Sequence, residues 1–460
     1  MHTIAALASG AGKAGISVIR LSGDDAVEIA SKVFKPFGKY ESLLQCESHK
    51  QVYGKIIGSD GERLDTGLCT CFLAPHSYTG ENVVEISCHG SPVGVSLILT
   101  ALFENGAQSA LPGEYTKRAF VNGKLDLTMA EAVGQLIDAD STSQVKLFSA
   151  QLEGSVGKLV KKQADELTEL LASVYAYIDY PDEDMRDVTD EELKERLTKI
   201  RKELKALTST FSTGLAITQG VPTAIVGLPN TGKSSLLNAL LGFERAIVTD
   251  VAGTTRDVVT ESVVVGNIKL NLSDTAGRHE AEDAVEKIGV ERSKGKLSDS
   301  KLVLGVFDVT KSVDETDHDV IQLLLEAKET KDVIVVLNKC DLADGNGHKK
   351  YFEEKGFDTV ITISAKEKEG LEALEKAVAA LYPDSDKVQS GMILTGARQH
   401  AALSQAVSDI ERALETLEML TPDTACLDME SALGALLEAD GRGVSEEIVN
   451  SIFSHFCVGK

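Results

Sequence analysis

Tryptophan is absent from this chain, aromatic residues make up only 5% of it, and no apolar run approaches the ~18 residues that a membrane span requires. Even "VGVSLILTALF" (93–103) stops short, so no stable membrane association is expected. Cysteine is sparse: seven residues are scattered without a CxxC pair, which excludes a disulfide or zinc framework. The N-terminus "MHTIAALASGAGKAG" lacks a signal-peptide apolar region followed by a cleavage site, so a cytoplasmic address is expected. Positive charge is also short. A net charge of -24 argues against binding nucleic acid through bulk electrostatics, because phosphate neutralisation needs clustered Lys and Arg. Any nucleic-acid contact must use a local patch, and the candidates are "TKRAFVNGK" (116–124) and "GKLVKKQ" (157–163). Stretches of this kind are more often ordinary solvated faces than binding sites.

What is present divides into about three domains' worth of chain. From 1 to 117, β-rich runs "ISVIRLSG", "LCTCFLAP" and "NVVEISCHG" mix with helical stretches near 24–35 and 92–104, as in a small α/β domain. Within 118–215 the apolar residues Phe148, Leu152, Val156, Leu159, Leu167 and Leu171 recur at three- and four-residue spacing, the stripe of an amphipathic helix. A second helical stretch over 190–210 follows the acidic "DYPDEDMRDVTDEE". Between 216 and 382, apolar strands alternate with helix-length segments, the pattern of a parallel sheet covered on both faces. Amphipathic helices return in 383–460. An α/β segment flanked by helical sequence predicts an inserted domain, with the helices on either side packed as one discontinuous bundle.

"GLPNTGKS" (227–234) follows the first strand of that segment and opens a helix, the context of a phosphate-binding loop. Glycines let consecutive N–H groups turn toward the phosphates; Lys233 would reach the β and γ phosphates, and the Ser234 hydroxyl would ligate Mg²⁺. "DTAG" (274–277) ends an apolar strand, where Asp274 can hold the metal through water and the Gly277 N–H can sense the γ phosphate. "NKCD" (338–341) decides the base. The Asp341 carboxylate can accept from the ring N–H and the exocyclic amine of guanine, whereas adenine offers no such donor pair. "SAK" (364–366) completes the base pocket. Arg278 stands where many GTPases place a water-orienting Gln, and no arginine finger is evident. Another cation must offset the transition-state charge. Asn230 and "TDVAGTTRD" (249–257) offer oxygen ligands suited to K⁺, with Thr255 as a second Mg²⁺ ligand; the same stretch would also read as a plain switch loop.

"GLPNTGKSSLLNAL", "IVTDVAGTTRD", "DTAG" and "VEKIGVERS", together with "SYTGENVVEISCHG", "LPGEYTKRAFVNGKLDL", "IDYPDED" and "FCVGK", closely resemble the tRNA modification GTPase family called MnmE or TrmE. The resemblance covers essentially the whole chain. It implies three parts: an N-terminal α/β folate-binding-like domain that dimerises, a discontinuous helical bundle, and an inserted Ras-like P-loop GTPase domain. The implied activity is GTP hydrolysis stimulated by K⁺ and by G-domain dimerisation within a homodimer. With an FAD-containing partner of the MnmG/GidA type, it would drive (carboxymethyl)aminomethyl modification of the tRNA wobble uridine from a tetrahydrofolate donor such as 5-formyl-tetrahydrofolate.

The nucleotide contacts so implied are Asn230, Thr231, Gly232, Lys233, Ser234 and Ser235, then Thr249, Asp250, Val251, Ala252, Gly253, Thr254 and Thr255. They continue with Asp274, Thr275, Ala276 and Gly277, with Asn338, Lys339, Cys340 and Asp341, and with Ser364, Ala365 and Lys366. Asn230, Thr249, Val251 and Thr254 match the K⁺ ligands, and Glu286 matches the glutamate that orients water. Arg20, Glu85, Lys124 and Lys460 match the folate positions; taken singly, each also suits a surface ion pair. The chain departs from the family pattern at Arg278-His279, at "SGAGKAG" (9–15) and at Leu111.

"FCVGK" (456–460) is a poor prenylation box, because Gly459 occupies an aliphatic slot and Lys460 is not an accepted last residue. An apolar last helical turn with a buried Cys is one reading of it. The family resemblance implies another, in which Lys460 touches folate and Cys457 acts as nucleophile or proton donor. A regulatory ribosome-assembly GTPase with no modification chemistry is the alternative function, but it would want a basic RNA-binding module. A membrane scaffold would want a polybasic or apolar membrane contact.

Overall fold

The computed structural model describes residues 2–179, 188–242, 261–273, 297 and 299–459. They form two compact units, Met1–Gly134 with Gly434–Lys460, and Gln135–Leu433.

In the first unit, β1 (Ile4–Leu7), β2 (Ala14–Ser22), α1 (Ala26–Val33), β3 (Phe34–Pro36), β4 (Gln51–Ile57), β5 (Arg63–Phe72), β6 (Val83–Gly90), α2 (Pro92–Glu104) and β7 (Gln108–Ser109) build a seven-stranded sheet, in the order β3-β4-β5-β6-β2-β1-β7. All pairings are antiparallel except β1 with β7. α1 and α2 cover one face, where Ile29, Ala30, Ile98 and Leu102 meet Ile19, Leu21, Val84 and Ile86 in one apolar cluster. Each such Ile, Leu or Val side chain, fully buried, contributes about 1.5–3 kcal/mol. β4 alternates buried Val52 and Ile56 with exposed Tyr53 and Lys55. Buried Gly54 keeps the alternation and has no side chain because a Cβ there would stand 2.4 Å from the Lys35 carbonyl oxygen. α3 (Glu114–Val121) and α4 (Leu127–Ile137) follow, and the last helix, Glu446–Ser454, packs Val449 and Phe453 against Leu127 and Ala130.

The second unit opens with α5 (Thr142–Leu152), α6 (Ser155–Asp179), α7 (Asp190–Thr208) and α8 (Phe211–Thr218). The single stripe expected from Phe148 to Leu171 is therefore two helices. The chain turns at Gly154, whose φ of 80° lies in the left-handed region where a glycine ends a helix at little cost. α7 begins at a capping box between Thr189 and Glu192, which satisfies two otherwise unpaired donors.

β8 (Val221–Val226), α9 (Lys233–Leu241), β9 (Glu261–Val265), β10 (Ile268–Ser273), β11 (Leu302–Asp308), α10 (Glu315–Lys328), β12 (Asp332–Asn338), α11 (Asn346–Glu354), β13 (Val360–Thr362) and α12 (Leu371–Leu381) then form a six-stranded α/β layer of order β13-β12-β11-β8-β10-β9. The expected parallel sheet carries one antiparallel strand, β9, at its edge. β11 is buried along its whole length, as a strand covered on both faces must be. α13 (Ala397–Met419) returns to pack along α7, and α14 (Pro422–Asp440) follows, so helices from before and after the α/β segment do meet. Leu147, Phe148, Ile217 and Ile393 from the helical segments share a core with Leu270, Leu304 and Ile334 of the sheet.

Candidate functional site

β8 ends at a loop that turns into α9 at Gly232, whose φ is 97°. A Cβ on Gly232 would lie 2.1 Å from Asn338 Nδ2, so only glycine lets the loop pass that close. Within the loop, Lys233 Nζ donates to the Gly227 and Leu228 carbonyls at 2.8 and 2.7 Å. Burial pushes the Lys233 ammonium below the usual lysine range. Ser234 and Ser235 stand exposed in the first turn of α9, and Asn230, exposed with φ at 64°, precedes them. Backbone donors at a helix N-terminus beside an ammonium make an anion cradle.

The loop after β12 is tied to this cradle. Buried Asn338 donates from Nδ2 to the Thr231 carbonyl at 2.9 Å and accepts at Oδ1 from the Ala365 N–H at 3.0 Å. Lys339, with φ at 68°, donates to the Asn230 carbonyl at 2.8 Å and to Asp308 Oδ2 at 2.6 Å. Burial raises the Asp308 carboxyl, but the Lys339 ammonium and the Thr310 hydroxyl and amide outweigh it, holding the group below its usual range. Asp341 is exposed; its Oδ1 accepts from Ser364 Oγ at 2.6 Å, which orients the carboxylate. Ser364 itself is buried and accepts from the Glu367 N–H at 3.2 Å. Cys340 is half-buried, its N–H bound to the Ile363 carbonyl at 3.1 Å, while the Lys366 side chain is 80% exposed beside Glu367. Three separate sequence motifs thus converge on one surface. Asp308, at the end of β11 in "VFDVT", belongs to the same network and was missed by motif reading; an acid closing a fully apolar strand is the signal that could have found it.

Thr249, Asp250, Val251, Ala252, Gly253, Thr254 and Thr255 lie outside the described residues. So do Asp274, Thr275, Ala276, Gly277, Arg278, His279, Glu286 and Lys460.

In the first unit, Arg20 of β2 and Glu85 of β6 are register partners across the sheet. Arg20 Nε and Nη2 both donate to Glu85 Oε1, at 2.9 and 2.8 Å. Among the described residues no hydrogen bond reaches Glu85 Oε2. The guanidinium sits 5.6 Å from the Tyr78 ring and 5.7 Å from the Tyr115 ring, a cation held between aromatic faces. Its Nη1 reaches the Gly459 carbonyl at 3.4 Å. Lys124 Nζ donates to the Pro75 carbonyl at 3.0 Å, and its stem packs against Gly80, so one loop, 75–80, touches both Lys124 and Arg20. Tyr78 and Tyr115 were not anticipated. "SYTG" and "GEYTK" carry them, but nothing local says that both rings flank Arg20.

The tail passes beside Pro112 through a bridge to Val458, and the Cys457 carbonyl accepts from the Gly113 N–H at 3.4 Å. Gly459 has φ at 98°, and a Cβ on it would stand 2.1 Å from the Leu7 carbonyl oxygen. The close approach that requires glycine is therefore to backbone of β1. Cys457 lies beyond the last helix and is exposed, so the buried-turn reading of "FCVGK" does not hold.

Among the described residues no helix is long and apolar enough to cross a membrane. The chain matches the family model of the GTP-binding protein TrmE N-terminus over residues 3–124 and that of the MnmE helical domain over 127–457. It is 38% identical to a tRNA modification GTPase MnmE of Clostridioides difficile, over 100% of this chain and 99% of that one. A tRNA modification GTPase MnmE of Ligilactobacillus salivarius is 41% identical, over 100% of this chain and 98% of its own length. A solved structure of Aquifex aeolicus Era bound to GDP.AlF4- is 27% identical, covering 41% of this chain and 66% of that chain, with a TM-score of 0.28. With two family models spanning nearly its whole length around a tied set of guanine-nucleotide loops, the chain belongs to the MnmE/TrmE family of tRNA modification GTPases.

Proposed function

We propose that this GTPase is K⁺-dependent and that its turnover, with an FAD-containing partner, drives (carboxymethyl)aminomethyl modification of the tRNA wobble uridine from a tetrahydrofolate donor. The observation that carries the reading is the presence in one chain of two separate sites. One is the Asn338-linked nucleotide loops; the other is an Arg20 and Glu85 pair flanked by tyrosines and by the C-terminal tail.

At the first site, Asp341 reads the guanine donors with the carboxylate that Ser364 orients, and Lys233 and the backbone donors of the loop hold the phosphates. Ser234 and Thr255 are the protein ligands for Mg²⁺; Asn230, Thr249, Val251 and Thr254 are those for K⁺. When bound, K⁺ supplies positive charge where the transition state gathers negative charge. Exposed Asn230, in the left-handed region next to the cradle, fits that role among the described residues. Glu286 is assigned to orienting water, an effect on kcat with little on GTP affinity.

At the second site, the open Glu85 oxygen suits the amine and ring N–H of a pterin, and Arg20, Lys124 and Lys460 suit its anionic tail. Cys457 stands exposed at the same tail and takes the role of nucleophile or proton donor in transfer to the uridine.

The deciding experiment compares GTP hydrolysis in KCl and in NaCl and assays the purified full chain for bound folate. A rate at least about a hundredfold higher in KCl, as expected when one charge-stabilising group is gained, together with a retained folate, supports the reading. Equal rates in both salts refute the K⁺ assignment, and no affinity for 5-formyl-tetrahydrofolate refutes the second site.

A further inference from the structure

α6 and α7 run antiparallel. Gln163 donates to Glu203 at 2.9 Å, and Arg196 reaches Glu166 and Glu169, each at 3.2 Å. That register sets the first turns of α6 beside the last turns of α7, and the two helices divide their charge accordingly. Residues 155–163 carry Lys158, Lys161 and Lys162 and no acid. Residues 199–208 carry Lys199, Arg201, Lys202 and Lys205 against the single acid Glu203. Acids follow on each helix: Asp165, Glu166 and Glu169 on α6, of which Glu166 and Glu169 face Arg196, and Asp190, Glu191 and Glu192 in the first turn of α7.

Lys158, Lys161, Lys199 and Lys202 are exposed and form no ion pair among the described residues. Lys162 meets Glu203 only at 3.8 Å, between half-exposed side chains. Lys199 and Lys202 line a shallow groove with Val188, Arg196, Thr198 and the acids Glu166, Glu192 and Glu195, so the basic and acidic parts of the pair adjoin there. In a chain of net charge -24, this gathering of like charge on two adjoining helices stands apart. Lysines spread over more than one turn of each helix are too dispersed for one phosphate but match a polyanion, each salt link adding a counterion-release term. The acidic half would repel the same polyanion and so set its direction.

We propose that the basic half of the α6–α7 pair docks the phosphate backbone of tRNA. The identity of the RNA rests on the modification function above; the docking surface rests on the register and the unpaired lysines.

The test is fluorescence anisotropy of labelled tRNA against the full chain with GDP and Mg²⁺, over a range of KCl concentrations. Replacing Lys158, Lys161, Lys199 and Lys202 together by Ala should weaken binding by at least about tenfold and flatten the slope of log affinity against log salt by about three, since each lost contact removes ~0.7–0.9. Glu192→Gln with Glu195→Gln should strengthen binding. GDP affinity should be unchanged in both variants, which reports folding of the same unit. If the fourfold variant does not fold, the charge reversals Lys161→Glu and Lys199→Glu are read in its place. Unaltered affinity and slope overturn the proposal, as does a variant that binds tRNA normally but loses a protein partner. Wobble modification assayed in parallel separates the two readings. A wild-type chain that modifies tRNA while the variants keep its affinity and salt slope fails only the docking surface; a wild-type chain that never supports modification fails the functional reading itself.

Discussion

Asn338 donates through Nδ2 to the Thr231 carbonyl at 2.9 Å, and this buried bond, with that of Lys339 to the Asn230 carbonyl, fastens the loop after β12 to the loop before α9. The other end of the Asn338 side chain accepts from the Ala365 N–H, so a single buried amide touches all three loops. Asn338→Ala leaves a buried carbonyl and a buried N–H without partners, at about 1–3 kcal/mol each. GTP and GDP affinity should therefore fall together, by roughly ten- to hundredfold, in isothermal titration. Wild-type affinity for both nucleotides would show that the loops hold their geometry without the amide.

Asp341→Asn exchanges an acceptor for a donor where guanine presents its ring N–H. GTP affinity should drop by at least about a hundredfold, because a site built around specific hydrogen bonds rejects a mismatched partner strongly. Xanthosine triphosphate, whose base presents an acceptor there, should bind the variant better than it binds wild type. Competition against a fluorescent nucleotide reads both, and unchanged GTP affinity would remove Asp341 from base recognition.

Asp308 is held below the usual carboxylate range chiefly by the Lys339 ammonium, against the opposing effect of burial. A depressed carboxylate contributes stability that is present above its unfolded value and is lost as pH falls through the folded one. Asp308→Asn should thus lower the thermal midpoint of the second unit at pH 7. The gap from wild type should close as pH is brought below about 4, the ordinary range of an aspartate. A gap that stays constant across that window would mean the pair contributes packing alone.

Gly459→Ala puts a methyl group where 2.1 Å separates it from the Leu7 carbonyl oxygen, and the backbone there has a φ of 98°. The tail must leave β1, taking the Gly459 carbonyl away from Arg20. Folate binding should weaken by about tenfold or more, the scale of a lost buried contact, while GTP hydrolysis persists. Cys457→Ser, which leaves that path intact, should keep folate binding and lose modification. A Cys457→Ser chain that modifies tRNA at the normal rate assigns the thiol no chemistry.

The nucleotide loops were legible because their information is local. "GLPNTGKS" and "NKCD" each place a few backbone groups within one turn of a strand end, and the residues that shape the turn are the ones that carry the chemistry. The helix start at Thr189 and the buried run of β11 were legible for the same reason: capping and burial follow neighbours in the chain. The tertiary structure decided what joins residues far apart. Arg20 meets Glu85 only through the register of β2 on β6, and Gly459 only because the tail lies along β1, 439 residues from Arg20 in sequence. Asp308 joins Lys339 because β11 and β12 are parallel neighbours. The charge polarity of α6 and α7 exists in neither helix alone: it depends on antiparallel packing, and packing is set by which apolar faces find each other.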